Sequence, residues 1–225
     1  MFGITNSMRF ITKLRQTILL IGILILGSLE TRAQEKSEIS SSIMYMYAPW
    51  NHIGGFATET TSLGTNHIGY AYAEIMGLSA SSPEAYCQLL WEQKFWKKPI
   101  FLHAEYRGFG TESFYESSAY LGAAYCIYTK HGYLALEPLM MWKQEMGVGG
   151  QFSIVGGWVW KRFMIEHYTD IWKAHKMESP VDFYTQTRLF YKIWSRLSIG
   201  VIGTIYNNYP NENSYIAHIA LRWKL

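Results

Sequence analysis

Along this chain, strand-like segments of roughly ten residues follow one another, joined alternately by short turns and longer loops. Ten residues is about the length a tilted strand needs to cross a bilayer. A regular alternation of tight turns and long loops between such segments is the pattern of a transmembrane β-barrel. The segments fall at 42–48, 55–63, 67–76, 85–95, 100–107, 118–128, 133–143, 151–160, 163–172, 181–194, 197–206 and 215–225. The reading is therefore all-β: an antiparallel transmembrane barrel of about twelve strands, with both strand termini on the short-turn, periplasmic side.

The region before the strands reads as a cleaved signal peptide over 1–33, leaving a barrel domain over 34–225. Arg9, Lys13 and Arg15 precede an apolar run from Thr17 to Leu29, and Thr31-Arg32-Ala33 places small residues at the cleavage site. The apolar run is shorter than the ~18–20 residues of a spanning helix. After Ala33 no uncharged apolar run is long enough to span either, so only a barrel holds the remaining chain in a membrane.

Composition agrees. The mean hydropathy of -0.05 is that of a soluble protein, which a barrel produces by alternating apolar and polar residues. Aromatic residues make up 16% of the chain, as interfacial girdles require, although a soluble β-sandwich with an aromatic core shares that enrichment. The net charge of +3, without a basic run interleaved with aromatics, argues against nucleic-acid binding. Cys87 and Cys126 fall in strands that are not neighbours, so no disulfide is expected.

Strand alternation assigns the faces. A charge facing lipid at midplane costs about 2–4 kcal/mol, so charged residues mark the lumen. In the last strand Tyr215, Ala217, Ile219, Leu221, Trp223 and Leu225 suit lipid, whereas His218, Arg222 and Lys224 suit the lumen. On this assignment Leu221→Arg impairs assembly and Arg222→Leu is better tolerated. The same rule turns inward Tyr72, Glu74, Glu92, His103, Glu105, Arg107, Glu137, Glu166, Asp170, Asp182, Arg188 and Lys192, with Glu59 and Gln88 beside them. His167 turns outward, a mild conflict. Acidic and basic luminal residues nearly balance, so no Arg/Lys ring for anions is expected. A salt-bridged plug and a narrow channel with stacking tyrosines both fit such an interior.

The segment Lys94-Phe95-Trp96, with Leu102-His103-Ala104-Glu105-Tyr106 after it, resembles a short outer-membrane β-barrel family of unknown function related to the Tsx-like nucleoside-specific channel proteins. Ala119-Tyr120-Leu121-Gly122-Ala123-Ala124-Tyr125 and the closing Leu221-Arg222-Trp223 are similar to that family as well. The resemblance implies a monomeric barrel of about twelve strands in a Gram-negative outer membrane, passing nucleosides or similar small solutes. The ending departs from it, because Leu225 stands where such barrels usually carry an aromatic residue.

The expected function is a narrow channel for small polar or aromatic solutes in the cell outer membrane, inserted by the barrel-assembly machinery and surrounded by lipid. The alternatives are a non-conducting structural or adhesion barrel and, less favoured, a lipid-modifying enzyme. The enzyme would need a serine near His167, and no serine motif accompanies it. No cofactor and no metal are expected. The His103-x-Glu105 spacing puts two ligand types on one strand face, and a metal shared with His218 is conceivable, yet a salt-bridged interior explains the spacing equally well. The glycine-rich stretch 147–150 reads as a loop between strands rather than a phosphate-binding loop.

Overall fold

A computed structural model describes residues 38–49, 52–77, 83–95, 99–111, 113–177, 181–207 and 213–225. The expected signal peptide, most of the loops around 78–82 and 208–212, and the turn residues 96–98 lie outside this set. The described residues form twelve strands: β1 (Glu38–Ala48), β2 (Ile53–Leu63), β3 (His67–Met76), β4 (Glu84–Lys94), β5 (Ile100–Gly110), β6 (Tyr115–Tyr128), β7 (Gly132–Lys143), β8 (Gly147–Trp160), β9 (Phe163–Ala174), β10 (Asp182–Lys192), β11 (Leu197–Asn207) and β12 (Asn213–Lys224). Each pairs antiparallel with its sequence neighbours, and β1 pairs with β12, so the sheet closes on itself. Closure leaves no edge with unpaired N–H and C=O groups. The seam runs from Ser42↔Lys224 to Tyr47↔Ile219, and the Leu225 N–H adds a bond to the Ser41 carbonyl.

The strands match the expected segments and are mostly longer, at the expense of the loops. The clearest correction is at 147–150, expected as a loop. These residues open β8, and the connection shrinks to Gln144, Glu145 and Met146. Glu145 (φ 68°) and Gly147 (φ 81°) turn the chain there, and the positive φ is what makes glycine useful at 147. At the opposite end Lys161 and Arg162 alone connect β8 to β9, with Lys161 at φ 55°. A tight hairpin whose twist suits its strands requires such positive angles.

Alternating side chains separate the two faces. Ile43, Phe56, Leu102, Leu121, Met140, Phe152, Ile165, Leu189, Val201 and Ile219 are exposed around the outer wall. So continuous an apolar surface suits lipid rather than water. Near the short-turn end Trp160, Phe163 and Tyr191 form an aromatic group, with centroids 6.4 and 5.1 Å apart, and the Lys161 ammonium sits 4.9 Å from the Trp160 ring. Amphipathic aromatics and lysine placed together are typical of a membrane interface. Inside, Met44, Met46, Ala57, Tyr72, Phe190, Ile202 and Ala220 pack as one buried cluster on the β1–β3 and β10–β12 wall. Both cysteines are free, as expected: Cys87 is half-buried and Cys126 is buried.

Candidate functional site: a lumen with two kinds of wall

The inward charges divide into two groups. The first joins β2, β9, β10 and β12. Arg222 donates from both terminal nitrogens to the two Glu166 oxygens, at 2.8 Å each, and from Nη2 to Glu59 at 3.1 Å. Parallel bonds of this kind fix direction as well as distance. Arg188 donates to Glu59 at 3.2 Å and to Gln186 at 2.6 Å, and approaches Glu166 at 3.7 Å. Each guanidinium lies over a ring: Arg222 is 4.2 Å from the Phe190 centroid and Arg188 5.2 Å from that of Tyr72. Tyr72 in turn donates a short hydrogen bond to Glu74. Two arginines thus face two carboxylates in a closed lattice.

The second group joins β4, β5, β7 and β9. Arg107 donates to both oxygens of Glu105, at 2.5 and 2.9 Å, and reaches across the lumen to Asp170. Its guanidinium lies between the Tyr120 and Tyr168 rings, at 4.4 and 5.4 Å. Asp170 also accepts from Ser153 at 2.6 Å, Tyr168 at 2.6 Å and Gln151 at 3.0 Å. Glu105 accepts from Gln88 at 2.5 Å and lies 3.3 Å from His103 Nε2. The other imidazole nitrogen, Nδ1, is 3.1 Å from Glu92 and 3.7 Å from Glu137. Four carboxylates here share one arginine and one imidazole.

Local sequence explains why His103 and Glu137 meet although β6 lies between their strands. Gly122 of β6 pairs with His103 on one side and Leu139 on the other. A Cβ on Gly122 would come within 2.3 Å of the Pro138 carbonyl oxygen, so glycine lets β6 and β7 close up. The next inward residue, Ala124, is fully buried and small. No long side chain stands between the imidazole and the carboxylate.

The two groups also differ in access. The side chains of Glu166, Glu59 and Arg188 remain 31%, 18% and 14% exposed, whereas His103 is at 0%, Glu105 at 1%, and Glu92 and Glu137 at 5%. Solvent reaches the arginine lattice and is shut out of the histidine group.

The other luminal candidates are more peripheral. Asp182 sits at the start of β10, with Asn207 Nδ2 at 3.5 Å, and Lys192 is exposed at that strand's short-turn end. His218 does not join His103 and Glu105, as the metal reading required. It lies on β12, beside the arginine lattice, and its buried Nδ1 has no partner among the described residues. His103 does meet Glu105, and Glu92 and Glu137 stand where His218 was expected. Arg222 faces the lumen as expected, but it is buried and holds two carboxylates, which makes its loss costlier than the face assignment alone implies. Gln151 and Ser153 on β8, Tyr120 on β6 and Tyr168 on β9 complete the second group; of these only Tyr168 shares a parity the sequence assigned inward, that of Glu166 and Asp170. His167 does face outward, where Thr187 and Thr169 hydroxyls meet its two ring nitrogens at 2.9 Å each. These bonds resolve the polarity conflict on the outer face, and its hydrogen-bond partners among the described residues are threonines.

No family model matches this chain, and no curated protein matches it. Solved structures are similar in fold. A KdgM porin in complex with disordered oligogalacturonate is 12% identical, with a TM-score of 0.53 over 82% of this chain and 98% of its own. The NanC porin is 9% identical, with a TM-score of 0.57 over 82% of this chain and 100% of its own. At such identities the likeness is one of architecture alone: both porins share with this chain the fold of a closed antiparallel barrel.

Proposed function

We propose that this chain is an outer-membrane barrel forming a narrow diffusion channel for small polar or aromatic solutes, with nucleosides as the first solutes to try. The carrying observation is the arginine lattice, which stays partly exposed inside the barrel beside Tyr72, itself stacked on Tyr70. Paired charges beside aromatic rings hydrogen-bond the edge of a flat solute and stack on its face. The solute differs from that of the KdgM complex. An acidic oligosaccharide would need unpaired cations, whereas both lattice arginines are matched by carboxylates. The barrel works as a monomer in lipid, without catalysis, inserted by the assembly machinery with its short turns in the periplasm.

One observation favours a second reading. Arg107–Asp170 and Arg188–Glu59 bridge strands that are not neighbours, as in a sealed interior. Conductance of the refolded protein in a planar bilayer separates the two. Small, stable steps reduced by added nucleosides support the channel. Absence of conductance from a fully folded barrel overturns it and leaves the structural role.

A further inference from the structure

Glu137 lies on the inner face of β7 and is only 3% exposed, yet no described residue donates a hydrogen bond to its carboxylate. Its ion pair among the described residues is to His103 Nδ1 at 3.7 Å, and Glu92 already occupies that nitrogen at 3.1 Å. A buried carboxylate without a donor carries a large desolvation cost. Protonating His103 does not cure this. An imidazolium has two N–H groups, which point at Glu92 and Glu105, and Glu137 is still left over.

We propose that Glu92, His103 and Glu137 bind a divalent first-row cation, with Zn2+ as the representative. One ligand atom from each residue, Glu92 and Glu137 oxygens and a His103 ring nitrogen, all lie within 4.8 Å of one another. Tetrahedral zinc with nitrogen and oxygen ligands at about 2.0–2.2 Å separates its ligand atoms by about 3.3–3.5 Å. The observed separations from Nδ1, 3.1 and 3.7 Å, bracket that spacing. One imidazole with two carboxylates is a donor set for borderline transition cations rather than for calcium, which takes six or more oxygens.

The surroundings of the imidazole are those of a metal ligand. Histidine ligands usually donate their other ring N–H to a carboxylate, which fixes tautomer and ring direction. Here Glu105 lies 3.3 Å from His103 Nε2 and is itself held by Arg107 and Gln88. With Nε2 carrying the proton, the Nδ1 lone pair faces Glu92 and Glu137. A dication there neutralises both carboxylates and ties β4, β5 and β7 together across the Gly122 gap. None of this depends on whether the lumen conducts.

The test uses the folded barrel in detergent, stripped with chelator and titrated with Zn2+, reading bound metal per chain and the unfolding temperature. The wild type is expected to retain one Zn2+ per barrel and to melt higher with it, since a ligand of the native state stabilises that state. Glu137→Gln and His103→Gln are each expected to lose at least about tenfold in affinity, together with the thermal shift. His131→Ala, which removes an exposed turn histidine, is expected to keep both. Co2+ should give a visible d–d spectrum in the wild type and lose it in Glu137→Gln. The proposal is overturned if the folded wild type holds no ion. It is equally overturned if binding survives Glu137→Gln unchanged or follows His131. Because the wild-type titration decides on its own, a variant that fails to fold does not protect the idea.

Discussion

The arginine lattice on β2, β9, β10 and β12 and the histidine group on β4, β5 and β7 sit in the same barrel and use the same residue types, yet they solve opposite problems. In the lattice each charge has a counter-charge, and part of it touches solvent. In the histidine group carboxylates outnumber cations and solvent is excluded. Paired buried ions are stable as a set and costly to break singly. An unmatched buried charge already bears that cost, and removing it relieves the protein. The same chemical operation, neutralising one charge, should therefore have opposite signs in the two places.

The largest effect tests the lattice. Arg222→Leu leaves Glu166 and Glu59 to share Arg188 alone and should destabilise the barrel by about 3 kcal/mol, read from the urea midpoint of refolding into lipid vesicles. Adding Glu166→Gln, which leaves Arg188 paired with Glu59, should recover most of that loss; no recovery would mean the arginine acts through packing on Phe190 alone. Next comes the neighbouring residue on the same strand. Leu221→Arg puts a charge into lipid and should cost about 2–4 kcal/mol, with assembly into native outer membranes reduced. A neutral result there would invert the face assignment of β12. The contrast itself is tested by Glu137→Gln in chelator-treated protein, which should leave stability unchanged or raise it, by a gain on the order of 1 kcal/mol. A loss as large as that of Arg222→Leu would erase the distinction between the two walls. Smallest is Thr187→Val on the outer face, which removes a bond to His167 and should cost about 0.6 kcal/mol by the same refolding measurement.

Much of this architecture is legible in the chain. β3 falls at His67–Met76, as the alternation of Tyr70, Tyr72 and Glu74 against Ile75 requires, and β12 alternates as its charges demand. Period-2 patterning is local, so it survives without tertiary knowledge. The segment 147–150 misleads because glycine marks loops in general, while here Gly147 turns the chain and the following residues pair with β7. The division of the lumen was out of reach for another reason. Parity says that Glu92, His103 and Glu137 all point inward, but their meeting depends on stagger between strands and on the close β6–β7 approach at Gly122. A nearly balanced total of luminal charge likewise hides how unevenly it is distributed. His218 shows the converse: the right face, on the wrong side of the barrel.

The β1–β12 seam has a kinetic side. Every other pairing in the ring joins strands adjacent in sequence, which can form as hairpins within microseconds. The seam joins Ser42 to Lys224, nearly the full length of the described chain. Closing so long a loop carries an entropic penalty before any contact rewards it, and high contact order slows folding. Arg222 on β12 and Glu59 on β2 straddle that seam, so their ion pair forms only once the ring has shut. It rewards closure and not the hairpins that precede it. Such a bond should leave the zipping rate nearly untouched and slow reopening, acting as a latch that holds the finished ring shut.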